Sequence, residues 1–257
     1  KGQSKKDNDA AGSFGIGQFA AFSISKFRTI FVSSVSRLDN GKLEQFTQGK
    51  SILMSHKSGE KLKQGVGYWG VEDRCRPVVG TKDHLKFWQR ADSEDDYDNK
   101  IGTKISIVGF DEKENWNWSL FVAISESFFG AINGRKLRII IDGAKLDNDS
   151  INIIFTNPKL LNLIEKNKLE NRKNALRKFK TCRQYFEATK SNENVIVENT
   201  QRNELGHCEL RIVLNEEGSK SVAILRKGMT ITDELDGLKS FPSFKNFSAV
   251  FFCKNKK

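Results

Sequence analysis

The sequence predicts an α/β fold of the α+β two-layer sandwich type, and three observations carry that prediction. Short β-branched and aromatic runs bounded by glycine or polar turns recur in both halves of the chain. Trp116 to Ile132 instead places Leu120, Ile124, Phe128 and Ile132 at every fourth position, the spacing of one helical face. A lysine-rich helical stretch over 159–189 then separates two further groups of strands.

Taken in order, residues 1–12 are small, charged and without period, which predicts a loop. Phe14 to Lys26 predicts a short helix lined by Phe19, Phe22 and Ile24, and Phe27 to Val35 predicts a strand. Strands are also expected over Lys50–His56, Gly65–Val71 and Thr103–Phe110, with an exposed acidic loop over 91–98. After the helix that opens at Trp116, the alternation of Leu137, Ile139 and Ile141 predicts a strand, and Asn157-Pro158 predicts a helix start. The last strands are expected over Val195–Glu198, His207–Leu214, Ser221–Leu225 and Phe247–Cys253. The change of texture places a domain boundary near residue 113, and no internal repeat is visible.

Composition bounds the function. A chain of 257 residues that is 37% hydrophobic and carries 19 Phe can bury a core, so a wholly disordered chain is excluded. No run reaches the length of a membrane helix, so no membrane partner is expected. Cys75, Cys182, Cys208 and Cys253 are scattered without Cys-x-x-Cys spacing, which argues against a disulfide scaffold or zinc site and for a reducing cytoplasm. With 43 Lys+Arg against 32 Asp+Glu, the net charge of +11 favours polyanionic partners, compositional bias being the plainer account of it. An opening at Lys1 inside a polar run predicts a piece of a longer protein.

The sharpest motif is Gly12-Ser13-Phe14-Gly15-Ile16-Gly17-Gln18-Phe19. Its glycines permit close backbone approach, and a helix starting just after them would aim free N–H groups at a phosphate. A Rossmann fingerprint would need a strand upstream, where KGQSKKDND stands, and a P-loop would need Gly-Lys-Ser/Thr at its end. Neither pattern is present. A second motif, Ile101-Gly102-Thr103-Lys104-Ile105-Ser106-Ile107, opens a strand with Gly-Thr.

Together these motifs resemble the second glycine box and the Gly-Thr box of the GHKL (Bergerat-fold) ATPases, the superfamily of type II topoisomerase ATPase subunits, MutL and histidine kinases. The resemblance implies the C-terminal part of a Bergerat-type ATP-binding domain over 1–112, with residues 1–12 as its ATP lid. It implies ATP held by Gly12, Ser13, Phe14, Gly15, Ile16, Gly17, Gln18 and Phe19, with Thr103 near the adenine. Gln18 stands where some relatives carry lysine. The family's catalytic glutamate, its Mg²⁺-holding asparagine and its Asp-x-Gly-x-Gly have no counterpart here, so Mg²⁺ ligands are expected from outside this sequence and this chain alone should not hydrolyse ATP. Asp142-Gly143 and Asp236-Gly237 lack the second glycine of that motif.

Residues 113–257 are similar to the transducer domain of the topoisomerase and MutL branch, with a basic helical insertion over about 157–190. That branch lends a basic residue to the γ-phosphate, and Arg226 and Lys227 are the candidates, two solvated turn residues being the plainer account. The implied function is ATP binding and hydrolysis driving domain closure in a homodimer, in DNA handling or defence against foreign DNA. A non-catalytic scaffold that keeps the fold stays open as an alternative. So does a basic nucleic-acid binder without nucleotide, since residues 165–190 hold nine Lys/Arg against three Glu. His56, His84 and His207 have no partners at metal spacing, and Trp116 and Trp118 are expected to pack at the helix start.

Overall fold

The structure is a computed structural model that describes residues 16–90, 101–166, 174–190, 193–203, 205–215, 220–235, 241 and 243–254. The chain divides into two compact units, with the division between Glu112 and Lys113. Both contain sheets and helices, and the protein is α+β. The acidic stretch 91–98 and Asp236-Gly237 lie outside the described residues.

In the N-terminal unit a 3₁₀ turn, Ile16–Phe19, runs into a single α-turn, α1 (Ala20–Ser23). The strands are β1 (Thr29–Arg37), β2 (Leu43–Ile52), β3 (His56–Ser58), β4 (Lys61–Lys63), β5 (Val66–Trp69), β6 (Val78–Val79) and β7 (Gly102–Ile107). The main sheet runs β5-β2-β1-β7 with β6 also on β2, and every pairing is antiparallel. The expected strand over Lys50–His56 is thus the end of a longer one that begins at Leu43. Its beginning was hidden because the residues it buries are Gln45, Thr47 and Gly49, which leave no apolar alternation to see.

One face of this sheet is closed by a 3₁₀ helix, Asp83–Trp88, that buries Leu85. Trp88 stacks on Phe31 with ring centroids 4.3 Å apart, and Phe31 in turn fills the space over Gly49, where an added Cβ would lie 2.8 Å from the ring. Buried polar groups fix the rest. Gln89 accepts from the Lys82 N–H at 2.9 Å and donates to the Gly80 carbonyl at 3.0 Å, while the Arg90 N–H donates to the Ser33 hydroxyl at 3.1 Å. These bonds satisfy donors and acceptors that burial would otherwise leave costly.

The C-terminal unit begins with α2 (Trp116–Asn133), followed by a hairpin of β8 (Ile139–Ile141) and β9 (Ala144–Leu146). Three helices come next, α3 (Ile151–Thr156), α4 (Pro158–Glu165) and α5 (Ala175–Lys190). The strands are β10 (Val195–Arg202), β11 (Gly206–Leu214), β12 (Ser221–Arg226), β13 (Met229–Thr232) and β14 (Phe247–Lys254), in sheet order β10-β11-β14-β12-β13. Only β12 and β14 run parallel. Helices α2 and α5 cover one face of this sheet, and Phe129, Phe155, Phe179, Phe186, Leu225 and Val250 form the core between the layers.

Local chemistry explains the boundaries. Asn157 Oδ1 accepts from the Leu160 N–H at 3.1 Å with Pro158 at the first helical position, so α4 starts where Asn-Pro predicts. Helix α3, unforeseen in the sequence, is begun by the Asp147 carboxylate, which accepts from the Asp149 and Ser150 N–H groups at 3.2 Å each. The stripe on α2 differs from the expected one. Phe121, Val122, Ser125, Phe129 and Ile132 are buried, Ile124 and Phe128 are only partly so, and Leu120 is exposed. A four-residue step overshoots a full turn by about 40°, so an every-fourth series leaves the core face within a few turns.

Candidate functional site

The glycine loop bears on the site through its last residues, because Gly12, Ser13, Phe14 and Gly15 lie outside the described residues, as do the side chains of Ile16 and Gln18. Gly17 and Phe19 are exposed, and nothing lies within 4 Å of a Cβ built on Gly17. The short helix expected here consists of one 3₁₀ turn and the four residues of α1. So short an element carries little dipole toward an anion.

The segment after the loop is better defined. Phe22 of α1 is buried, and the Lys50 ammonium sits 5.8 Å from its ring and 5.6 Å from the ring of Tyr68. Lys50 is the register partner of Ile30, which shares a sheet face with Val32 and Ser34 because strand side chains alternate. On β7, Ile107, Ile105 and Thr103 pair with Ile30, Val32 and Ser34 and face the same way. The hydroxyls of Ser34 and Thr103 are 2.8 Å apart and hydrogen-bonded.

This face, opposite the one covered by the 3₁₀ helix, is open. Ile105 is 55% exposed, Val79 is 49% exposed, and Val32 and Phe46 are partly so. It is therefore a largely apolar strip, with Gln48 opposite Val32 and a hydroxyl pair at one end. At the other end, about 13 Å away along four residues of β1, stand Lys50 and the helix that leaves the glycine loop. The sequence singled out Thr103 but not Ser34 or Lys50, whose places on this face depend on the β1–β2 and β1–β7 registers.

In the C-terminal unit, Arg226 ends β12 and Lys227 occupies the two-residue turn before β13. Lys227 (φ 53°) and Gly228 (φ 86°) are both left-handed, the pattern of a type I′ hairpin, and Lys227 is exposed while Arg226 is half-buried. The turn is packed on α2. The Gly228 carbonyl accepts from the Ala131 N–H at 2.9 Å, and a Cβ on Gly228 would lie 2.5 Å from that nitrogen. Asp142-Gly143 is a second turn of the same type, between β8 and β9.

A polar cleft of about 430 Å³ lies between α2, α5 and β13, lined by Glu126, Lys178, Cys182, Tyr185, Thr230 and Asp233 among others. Burial pushes the Cys182 thiol well up, with Glu126 and Asp233 adding to the effect, and burial likewise raises the Tyr185 phenol. Both shifts favour the protonated forms.

On α5, Arg177, Lys178, Lys180 and Arg183 are exposed, Lys178 at the mouth of that cleft, while Phe179 and Phe186 are buried and Leu176 packs at the edge of the core. Leu169 lies outside the described residues. His207 sits on β11, and Trp116 and Trp118 pack against the core at the start of α2. Among the described residues, no group of three or more His, Cys, Asp or Glu side chains converges to hold a metal. Among them, too, no helix is long and apolar enough to cross a membrane. Compared with models of known protein families the sequence matches none, and it matches no curated protein.

Proposed function

We propose that the N-terminal unit binds a nucleotide, as the C-terminal part of a GHKL-type ATP site. One observation carries the reading. The helix that leaves the glycine loop and the Ser34–Thr103 hydroxyl pair flank the same open, apolar sheet face. A planar base can lie on Val32 and Ile105, its polar edge meeting the hydroxyls, because an exposed apolar floor with a few convergent polar groups suits such ligands. The triphosphate then extends toward Lys50, whose ammonium supplies positive charge, and the glycine box, whose N–H groups would complete the phosphate contacts as the resemblance implies. Adenosine triphosphate is the expected ligand.

In a protein that also carries the family's glutamate helix, binding is coupled to hydrolysis and to domain closure in a homodimer. Arg226 and Lys227 are then the cations that sense the γ-phosphate. Their replacement by Ala lowers turnover more than affinity, because the contact strengthens as charge develops. DNA handling or defence against foreign DNA is the process assigned to that motion.

The test is nucleotide titration of Gly17→Val and Thr103→Val. Gly17 has open space around it, so Val leaves the fold intact while blocking backbone approach, and affinity is abolished. Thr103→Val removes one hydroxyl partner and weakens binding by about 1 kcal/mol, roughly fivefold in Kd. Unchanged affinity in both variants contradicts the site.

A second reading, nucleic-acid binding through the basic face of α5, is favoured by the exposure of Arg177, Lys178, Lys180 and Arg183 in one helix. It predicts DNA affinity that falls steeply with salt and is indifferent to ATP. A scaffold that has kept the fold and lost the chemistry predicts neither binding.

A further inference from the structure

Cys208 and Cys253 are forty-five positions apart in sequence, yet they stand directly opposite one another on the antiparallel strands β11 and β14. Opposed residues in such strands hold their Cα atoms about 4.5 or about 5.5 Å apart, and both distances fall within the roughly 4.4–6.8 Å range that a disulfide spans. Both side chains point to the sheet face away from the helices, the face of Leu210, Ile212, Ala249 and Phe251, so the two sulfurs lie on the same side of the sheet. Both cysteines are free, and the Cys208 thiol donates to the Gly206 carbonyl at 3.8 Å.

We propose that Cys208 and Cys253 are a peroxide-responsive pair that closes a cross-strand disulfide between β11 and β14. The two differ in access, and this sets the order of events. Cys253 is partly exposed while Cys208 is buried at 1% exposure. The Cys253 thiolate attacks hydrogen peroxide, breaking the O–O bond to give a sulfenic acid and hydroxide. The Cys208 sulfur then attacks the sulfenic sulfur, the S–O bond breaks, and water leaves with the Cys208 proton. In sum, two thiols and one peroxide give one disulfide and two waters. Burial and the neighbouring Cys208 hold the Cys253 thiol above its ordinary pKa, so the reaction is slower than at a free surface thiol. The product ties β14 to β11 at the end of β14, inside a sheet whose order leaves both strands internal.

Of the other two cysteines, Cys75 is exposed, and Cys182, buried on α5, which covers the opposite face of the sheet, serves as the internal reference. The experiment treats the full chain, carrying Cys75→Ser to remove the surface thiol, with dilute hydrogen peroxide. The protein is then alkylated under denaturing conditions and mapped by peptide mass spectrometry. The expected product is a monomer lighter by two hydrogens, with a Cys208–Cys253 linked peptide, alkylation at Cys182 alone, and full recovery of all thiols by dithiothreitol. Cys253→Ser, at the more exposed position, abolishes the link and leaves Cys208 open to alkylation. Recovery of Cys253 as sulfinic acid with Cys208 free overturns the proposal. So does linkage of either residue to a second molecule, or to Cys182.

Discussion

Gly228 is the residue whose replacement the structure judges most sharply. It is left-handed, and its Cα packs into the backbone of α2 so closely that a Cβ would meet the Ala131 nitrogen at 2.5 Å and its Cα at 2.6 Å. Gly228→Ala therefore combines a strained φ with overlap against a helix that cannot yield. We expect a loss of about 2–4 kcal/mol in stability, read from urea unfolding, with the slope of the transition unchanged. A loss below about 0.5 kcal/mol would mean that the hairpin does not dock on α2 as described. Asp147 gives a second expectation at this scale. Lys145, 2.5 Å away, and the Ser150 hydroxyl and N–H hold its carboxyl down to about 2, against the opposing effect of burial. Because its folded pKa lies below the unfolded value of 3.8, its contribution is complete above 3.8 and is lost as pH falls toward about 2. Wild type and Asp147→Asn should accordingly differ in urea midpoint near neutrality and converge as the pH approaches about 2. A difference that stays constant with pH would assign the effect to shape and not to charge.

At the scale of elements, α5 carries two kinds of residue, with Lys178 at the cleft beside Cys182 and Tyr185. Phe179, Cys182, Tyr185 and Phe186 are buried, and Arg177, Lys178, Lys180 and Arg183 are exposed. Reversing charge at Arg177, Lys178 and Arg183 leaves the core face untouched, so the fold should persist. DNA affinity falls if this face tracks phosphates, and the dependence of log affinity on log salt drops by about 0.9 for each phosphate no longer neutralised. Equal affinity and slope in wild type and variant would make the charges a solvated face. Elements differed in how readily they could be read. The start of α4 was legible because Asn157-Pro158 is a local signal whose chemistry acts within three residues. So were β11 and β14, although the alternating Leu210, Ile212 and Leu214 line the open groove and not the face that the helices cover. The start of β2 was not, because its buried side is polar and is satisfied by Gln89 and Ser33 from other parts of the chain. Helix α3 was missed for a similar reason, since it is six residues long and depends on the turn that Asp147 builds.

For the molecule as a whole, the sequence carried the α+β class, and each sheet has one covered face and one open one. In the C-terminal unit α2 and α5 cover one face, while the other forms an apolar groove of about 770 Å³ bordered by Leu210, Ile212, Ile224 and Phe251. In the N-terminal unit the open face joins the loop's exit helix to the Gly-Thr strand. Thr103 was visible as a motif, but that it meets Ser34, and that Lys50 stands beside Phe22, emerged only from strand register. Register is a long-range property, set here by β1 pairing with both β2 and β7, and no local pattern announces it. The most direct test of a nucleotide site on this face is calorimetric titration of the full chain with a non-hydrolysable ATP analogue, in parallel with Lys50→Ala. We predict saturable binding to the wild type and a several-fold weaker affinity in the variant, since one charge-assisted phosphate interaction is removed. Binding that is equal in the two proteins, or absent from the wild type, would contradict the site.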